Sequence, residues 1–251
     1  ASARLLERAV AQTLDKAALG AAAVASHVRQ QWRAGSTEVA DLWTVVDGVT
    51  RRIPDLQTVA VFDDQGDQIC GQPLERCRRI QVADRDYFRH YRANPGDAPA
   101  LYGPMVSRLD GAEMLAVVQP LRRPDGSFGG MVAALLPTDK LRTTLRQVHV
   151  DRHGAVNLRT LQMSLLLREP PLPAGTDPAA STRISTELRQ QLARSAQEGL
   201  YRAPSGLDGI DRINAYRRLA GWPLYVLLGH ALDDVLAQWR RIAALVALAL
   251  A

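Results

Sequence analysis

A short segment rich in arginine and aromatic residues, 83–94, carries the side chains best suited to chemistry in this chain. It holds three arginines, one histidine and three aromatic residues, although aromatic residues make up only 5% of the 251 residues. Arginine presents a planar fork of donors that matches a carboxylate, and tyrosine hydroxyls supply further donors. The segment is therefore predicted to bind a small anion, with Arg85 and Tyr87 as the leading candidates.

Acidic residues beside Arg85 leave its role open. An ion pair with Asp84, Asp86 or a carboxylate from a loop would make Arg85 a structural residue at the start of a helix. Arg89 and Arg92 follow along the same helix, and we expect them on its solvent-exposed face. The prediction of a binding site therefore depends on Arg85 more than on the arginine content of the segment.

The sequence carries no recognisable catalytic motif. A glycine-rich phosphate loop followed by Lys-Ser/Thr, a G-x-S-x-G elbow and an HExxH zinc motif are all missing. His149 and His153 lie four residues apart, which would place two ligands on one helix face, but Gly154 follows at once and no third ligand is evident. We expect surface histidines there, and we predict no catalytic residue, no metal and no cofactor.

Composition indicates a globular chain with an unusual balance of cations. Hydrophobic residues make up 47% and charged residues 23% of the sequence, which is ordinary for a protein with a sizeable core. The net charge of +5 comes almost wholly from arginine, because Lys16 and Lys140 are the only lysines. Either coding composition or recognition of carboxylates and phosphates explains such a bias. Nucleic acid is not an expected partner, since no nucleic-acid-binding motif is present.

Cys70 and Cys77 are the only cysteines, and six residues separate them. The intervening Gly71 and Pro73 allow the chain to fold back, whereas a metal site would need two further ligands nearby. A disulfide is expected if the domain lies outside the cytoplasm, and it would contribute about 2–3 kcal/mol on the chain-entropy model. Two unrelated reduced thiols are the alternative.

The first segment of the chain, 1–53, is predicted to be helical. Apolar residues in 2–33 recur at steps of three, four or seven without a proline, as in one long amphipathic helix. Ser36 is placed to cap a second helix, which we expect to continue to about Arg52.

Alternating apolar residues and turn signals predict a sheet in the next segment, 54–137. A hairpin of strands at 58–62 and 68–70, with a turn at 63–67, comes first, followed by a helix for which Asp84 is the candidate N-cap. Three more strands are predicted near 101–108, 113–122 and 127–135. Five antiparallel strands with one helix across a face form an α+β module.

A second, smaller module is predicted in 138–230. Thr138 and Asp139 open a helix, and a further helix is expected over 185–200. Four strands are predicted, at 155–161, 164–168, 212–219 and 225–229. The fold class is therefore α+β, with a long N-terminal helix and two modules, each an antiparallel sheet with flanking helices.

The C-terminal segment, 231–251, is predicted to leave the second module as a helix. Its last ten residues, from Ile242 to Ala251, are uncharged and apolar, which is about half the length that a membrane-spanning helix needs. Trp239 would lie at the membrane interface, although the two arginines after it oppose the usual charge bias. We expect the first half of a membrane span here, with a C-terminal core helix as the alternative.

Four motifs follow one another along the chain. They are Asp-Arg-Asp-Tyr-Phe at 84–88, Leu-Tyr-Gly-Pro at 101–104, the hairpin at 120–130, and the stretch from 208–213 to 221–224. In this order they resemble the motifs of double Cache sensor domains. These domains are tandem PAS-like modules found outside the membrane in bacterial histidine kinases, chemoreceptors and diguanylate cyclases.

The resemblance implies a ligand pocket in the first module, between the helix after the hairpin and the strands that follow it. The residues it assigns to this pocket are Arg85, Tyr87, Tyr102, Ser107, Arg108 and Gln119. The amino-acid-sensing branch of the family carries an Arg-x-Trp-Tyr signature, whereas this chain has Arg-His-Tyr-Arg at 89–92. This departure counts against amino-acid sensing, and an organic acid is the expected ligand.

The resemblance also implies a place in the cell and a function. The module at 54–137 would be membrane-distal and the one at 138–230 membrane-proximal, in a periplasmic domain of an inner-membrane protein tethered by flanking spans. The heptad-like stripe of the first helix favours a homodimer through that helix. The domain would bind a small ligand and signal to a cytoplasmic diguanylate cyclase. A histidine kinase, a chemoreceptor, or a ligand-free dimerisation or partner-binding module are the alternatives.

Overall fold

The computed structural model describes residues 2–35, 39–71, 80–94, 98–108, 110–148, 150–172 and 182–237. Contacts divide the chain into two compact units. The first unit contains residues 12–141, and the second contains residues 2–11 together with the described residues from 142 onward. Each unit has one five-stranded antiparallel sheet, which agrees with the predicted fold class of a long N-terminal helix and two PAS-like modules.

One helix, α1 (Ser2–Arg33), opens the chain as predicted. Its N-terminal residues belong to the second unit and the remainder to the first. Its buried residues recur at steps of three or four, which gives the helix a continuous apolar stripe: Leu6, Val10, Leu14, Ala17, Ala21, Val24 and Val28. The helix ends at Arg33 and is followed by Gly35, whose φ of +73° is the left-handed conformation that often terminates helices.

The second helix, α2 (Val39–Arg52), lies against α1. At Gly20 of α1 an added Cβ atom would lie 3.0 Å from the side chains of both Val49 and Ile53. A larger residue at position 20 would therefore strain the packing of the two helices. The predicted cap, Ser36, lies outside the described residues.

The first sheet has the strand order β2-β1-β5-β4-β3 and is antiparallel throughout. Helix α3 (Asp86–Ala93) crosses one of its faces and buries Tyr87, Phe88 and Tyr91 there. All five predicted strands are present. They are β1 (Thr58–Phe62), β2 (Gln68–Cys70), β3 (Ala100–Val106), β4 (Glu113–Arg122) and β5 (Phe128–Pro137).

Helix α3 begins later than the sequence predicts. The sequence favours Asp84 as its N-cap, but the N-cap residue is Arg85, which makes no side-chain capping hydrogen bond. The Asp84 carboxylate accepts a hydrogen bond from Arg108 at 2.5 Å instead. An ion pair between distant residues has therefore replaced the local cap.

The second sheet has the order β7-β6-β10-β9-β8 and is also antiparallel throughout. Helix α4 (Thr138–Arg146) precedes it, and helix α5 (Thr186–Arg194) lies between its second and third strands in the chain. Its core includes Met163, Leu188, Tyr216, Tyr225 and Leu227. The strands are β6 (Ala155–Thr160), β7 (Leu165–Glu169), β8 (Glu198–Pro204), β9 (Asp211–Arg218) and β10 (Leu224–Ala231).

Strand β8 was missing from the sequence prediction, which continued the helix to residue 200 and gave this module four strands. Helix α5 ends at Arg194, and the next residue, Ser195, is already extended. Strand β8 is an edge strand whose Leu200 is 67% exposed. Its conformation is fixed by pairing with β9, which a pattern of local apolar residues does not reveal.

Residues 232–237 are helical, where the sequence predicts the start of an exit helix. The apolar stretch from Ile242 to Ala251 lies outside the described residues. Within the part of the chain that the structure describes, none of the helices combines the length and the apolar character that crossing a membrane requires.

Candidate functional site

A cavity of about 50 Å³ lies in the first unit, between the start of α3 and the sheet. Most of its lining is apolar and comes from Ala60, Phe62, Ile80, Val82, Met105, Met114, Ala133 and Leu135. Four of the six predicted ligand-binding residues also line it, namely Arg85, Tyr87, Ser107 and Arg108.

Arg85 combines a fixed position with an unused donor. Its Nη2 donates to the backbone carbonyl of Val106 at 2.8 Å, which ties the side chain to the end of β3. Its Nε is buried and has no hydrogen-bond partner among the described residues. Leaving a buried donor without a partner costs about 1–3 kcal/mol, so an acceptor supplied by a ligand would be stabilising here.

The carboxylates beside Arg85 are engaged elsewhere. Asp84 pairs with Arg108 at 2.5 Å, and Asp86 pairs with Arg89 at 2.5 Å on the surface of α3. In the described part of the chain, Arg85 takes part in no salt bridge. Its positive charge therefore remains available to a ligand in the cavity.

Tyr87 supplies a hydroxyl next to this charge. The side chain is buried, and burial raises the pKa of its hydroxyl, which therefore stays protonated at neutral pH. Tyr87 lines the same cavity as Arg85. The ring is held by Tyr102, whose centroid lies 5.6 Å away.

Ser107 and Arg108 form the rim of the cavity. The Arg108 guanidinium donates to the carbonyl of Gln81 and to Asp84, and its hydrogen bond holds the pKa of the Asp84 carboxyl below its usual value. Because Asp84 balances its charge, Arg108 is a weaker candidate for binding an anion than Arg85.

Tyr102 and Gln119, the other two predicted residues, do not line the cavity. The ring of Tyr102 contacts the rings of Tyr87 and Tyr91 instead. Gln119 is on the opposite face of β4, because successive side chains of a strand alternate and Met114 is on the cavity side. The side chain of Gln119 therefore points away from this cavity.

The apolar walls were not among the residues predicted to bind a ligand. Ala60 and Phe62 on β1, and Ala133 and Leu135 on β5, point to the cavity at every second position. This alternation is visible in the sequence. It indicates a buried strand face, but it does not distinguish a face that packs on a helix from one that lines a pocket.

The predicted disulfide and metal positions lie largely outside the described residues. Cys70 is buried at the end of β2, and Cys77 is outside the described part of the chain, so their pairing stays a prediction. His149 is also outside it, whereas His153 is half exposed and its Nδ1 lies 2.9 Å from Asp234. Among the described residues, no group of three His, Cys, Asp or Glu residues is arranged to hold a metal ion.

Solved structures resemble this chain along nearly its whole length. The extracellular domain of rpHK1S-Z16, a protein assigned as a histidine kinase, is 27% identical, with a TM-score of 0.76 over 95% of this chain and 94% of that one. The ligand-binding domain of the Pseudomonas fluorescens chemoreceptor CtaA, in complex with L-isoleucine, is 14% identical, with a TM-score of 0.68 over 94% and 92%. The sensory domain of the Campylobacter jejuni chemoreceptor Tlp3, with isoleucine bound, is 9% identical, with a TM-score of 0.64 over 93% and 91%.

These neighbours are extracellular or periplasmic sensor domains of membrane-bound receptors, which agrees with the predicted extracytoplasmic location. The two chemoreceptor domains are a ligand-binding domain and a sensory domain, each solved with isoleucine bound. At 14% and 9% identity the two chemoreceptor domains establish the fold and not the ligand. No protein-family model and no curated protein matches the chain.

Proposed function

We propose that this chain is the extracytoplasmic sensor domain of a membrane-bound signalling protein, and that its first unit binds a small carboxylate. Arg85 carries the proposal, because its guanidinium has a buried Nε without a partner at the side of an apolar cavity. A bound carboxylate would accept from this nitrogen in a charge-assisted hydrogen bond. The Tyr87 hydroxyl is a second donor to the same ligand.

The cavity walls favour an acid with a short alkyl chain. Apolar side chains surround the space next to Arg85, and burying alkyl groups among them contributes about 0.8 kcal/mol per methylene. Among the described residues that line the cavity there is no Asp or Glu. The ammonium group of an amino acid would therefore be buried there without a charged partner, which is costly. We infer that the ligand is a monocarboxylic acid and not an amino acid.

The proposed signalling route uses helices at both ends of the chain. Leu5 and Leu19 of α1 are 65% and 69% exposed and lie two heptads apart, as residues on one seam of a helix pair do. This exposure supports a homodimer through α1, with the domain tethered to the inner membrane by flanking spans. Ligand binding in the membrane-distal module would shift the population of two conformations, by no more than its difference in affinity for them.

Two output domains fit a sensor of this fold. The motifs at 84–88 and 208–213 resemble those of sensors attached to diguanylate cyclases, which favours a cyclase. The 27% identity to the extracellular domain of rpHK1S-Z16 favours a histidine kinase. The sequence of the cytoplasmic part of the full-length protein decides between the two.

A thermal-shift comparison of matched ligands tests the binding proposal. We expect 3-methylpentanoate, which has the carbon chain of isoleucine without the ammonium group, to raise the Tm, and L-isoleucine to leave it unchanged. A hundredfold excess over Kd stabilises a folded protein by about 2.7 kcal/mol, which such a measurement detects readily. Arg85→Ala should abolish the shift. Arg92→Ala, an exposed arginine of the same helix, should preserve it.

Three results would contradict parts of this proposal. Isoleucine that binds as well as 3-methylpentanoate would identify an amino-acid site. A normal shift in Arg85→Ala would make Arg85 a structural residue. A wild type that responds to neither organic acids nor amino acids would favour a dimerisation or partner-binding module without a ligand.

A further inference from the structure

The second unit contains a cavity of about 40 Å³ with a cationic lining. Strands β6, β7 and β9 each contribute an arginine to it, and the residues just before α5 close one side. The three arginines, Arg159, Arg168 and Arg212, are only 4%, 5% and 3% exposed. Fully buried arginines are uncommon, and a cluster of three requires negative charge nearby.

Asp208 supplies part of that negative charge. Its Oδ1 accepts from Nη1 of Arg212 at 2.7 Å, and its Oδ2 accepts from Nη2 of Arg212 at 2.8 Å. The same Oδ2 also accepts from Nη2 of Arg168 at 2.5 Å. One carboxylate is thus shared by two guanidiniums.

Arg168 retains an unused donor. Its Nη1 donates to Oδ1 of Asn157 at 3.2 Å and its Nη2 to Asp208. Its Nε is buried, and no described residue accepts a hydrogen bond from it. Because Arg168 lines the cavity, an acceptor bound there can complete its hydrogen bonds.

Arg159 and Tyr201 lie on the same cavity, and both are strongly affected by burial. Nη1 of Arg159 donates to the carbonyl of Met163. Burial lowers the pKa of Arg159 to about 10 and raises the pKa of Tyr201 to about 12. A bound anion would favour the charged guanidinium and would find in Tyr201 a protonated hydroxyl donor.

The backbone around the cavity also favours an anion. Residues 183–185 line it, and Ser185 caps α5 by accepting a hydrogen bond from the Leu188 N–H at 3.1 Å. The start of a helix carries partial positive charge. On β10, an added Cβ at Gly229 would come within 2.4 Å of Oδ1 of Asn214 and 2.8 Å of Cδ of Arg212, so the missing side chain makes room for Arg212.

We propose that this cavity is a second binding site of the chain, which holds a small oxyanion of the size of phosphate, sulfate or acetate on Arg168 and Arg159. Its lining carries three buried arginines, which favours the charged group over an alkyl chain attached to it. The proposal is independent of the ligand of the first unit, because the two cavities belong to different units.

A titration of the intact chain with sodium phosphate, at an ionic strength held constant with sodium chloride, tests this proposal. We expect a saturable rise in Tm and a calorimetric binding signal, with sulfate and acetate measured in parallel to define the preferred anion. Arg168→Gln should abolish both signals. Arg202→Gln is the matched control, because Arg202 is an exposed arginine of β8 that pairs with Asp211 outside the cavity.

Asp208→Asn separates a binding site from a purely structural network. Removing the carboxylate that competes for the guanidiniums should raise the affinity for phosphate several-fold, whereas a structural network predicts no gain in binding. Arg85→Ala should leave the phosphate response intact, because Arg85 belongs to the other unit.

A wild type whose Tm follows ionic strength alone and gives no binding heat with any of the three anions overturns the proposal. A response that survives Arg168→Gln also overturns it. If Arg168→Gln fails to fold, the wild-type calorimetry and the affinity of Asp208→Asn decide the question.

Discussion

The two units share one strand order and carry a helix after the second strand, yet different side chains fill the space between helix and sheet. The sheets are ordered β2-β1-β5-β4-β3 and β7-β6-β10-β9-β8, with α3 and α5 each following the second strand in the chain. Helix α3 buries three aromatic side chains against its sheet. Helix α5 buries one leucine, Leu188, and lies beside a polar cavity.

Matched strands explain this contrast. The first strand of the first sheet presents Thr58, Ala60 and Phe62 to its cavity, whereas the first strand of the second sheet presents Ala155, Asn157 and Arg159. The backbone topology therefore fixes where a cavity lies, and a few side chains at alternate positions decide what it can bind. An apolar wall beside one arginine favours a carboxylate with an alkyl chain, and a cluster of arginines favours a compact anion.

The largest expected effect concerns the charges of the second unit. Asp208→Ala should destabilise the chain by about 3–5 kcal/mol, because it leaves two buried guanidiniums without their carboxylate. Arg85→Ala in the first unit should cost less than about 1 kcal/mol, since it removes a hydrogen bond to Val106 and no salt bridge. Urea denaturation followed by circular dichroism compares the two variants. Equal losses of stability in the two variants would mean that the buried charges contribute equally to both units.

The stability of the fold should depend on pH through the carboxylate of Asp208. Burial raises the pKa of Asp208, but hydrogen bonds from Arg212 and the charge of Arg168 outweigh it and hold the pKa at about 2, below the usual 3.8. A depressed pKa in the folded state contributes stability that is present above about pH 4 and is lost as the pH falls through 2. The expected loss is on the order of 2 kcal/mol.

The measurement is the difference in unfolding free energy between wild type and Asp208→Asn, taken at pH 5 and at pH 2. That difference should shrink on acidification. A difference that stays constant over this range would show that Asp208 is not held ionised by the arginines.

The smallest expected effect concerns the N-terminal caps of α5 and α3. Ser185→Ala should cost about 1 kcal/mol, because the Ser185 hydroxyl caps α5. Asp84→Ala should cost less, because α3 has no side-chain cap and Asp84 forms only an exposed ion pair with Arg108. Thermal denaturation of both variants measures the two losses. A larger loss for Asp84→Ala would restore Asp84 as the functional cap of α3.

Local patterns predicted the elements whose conformation is set by their own residues. Helix α1 was predicted from residue 2 to residue 33 because its apolar stripe continues unbroken along the whole helix. The strands β1 and β2 were predicted at 58–62 and 68–70 because a turn cluster separates two short apolar runs. In these segments the local preference and the tertiary structure agree.

Features that depend on partners distant in the chain could not be predicted in this way. Strand β8 owes its conformation to β9, and the face on which Gln119 lies depends on its register within β4. The arginines of the second cavity lie on three different strands and are far apart in the sequence. Coding composition therefore explained their presence as well as anion binding did. The pairing of β6 with β7 and β10, and of β10 with β9, brings these side chains to one place.

The close approach of Gly229 to Arg212 limits which residues related sequences can carry at position 229. A Cβ at position 229 would come within 2.8 Å of Cδ of Arg212, so a larger residue there would force the Arg212 side chain to move. Related sequences that keep arginine at 212 should therefore keep glycine at 229, whatever happens at surface positions nearby. Such covariation would sort sensors of this fold into those that keep an anion cavity in the second unit and those that have filled it.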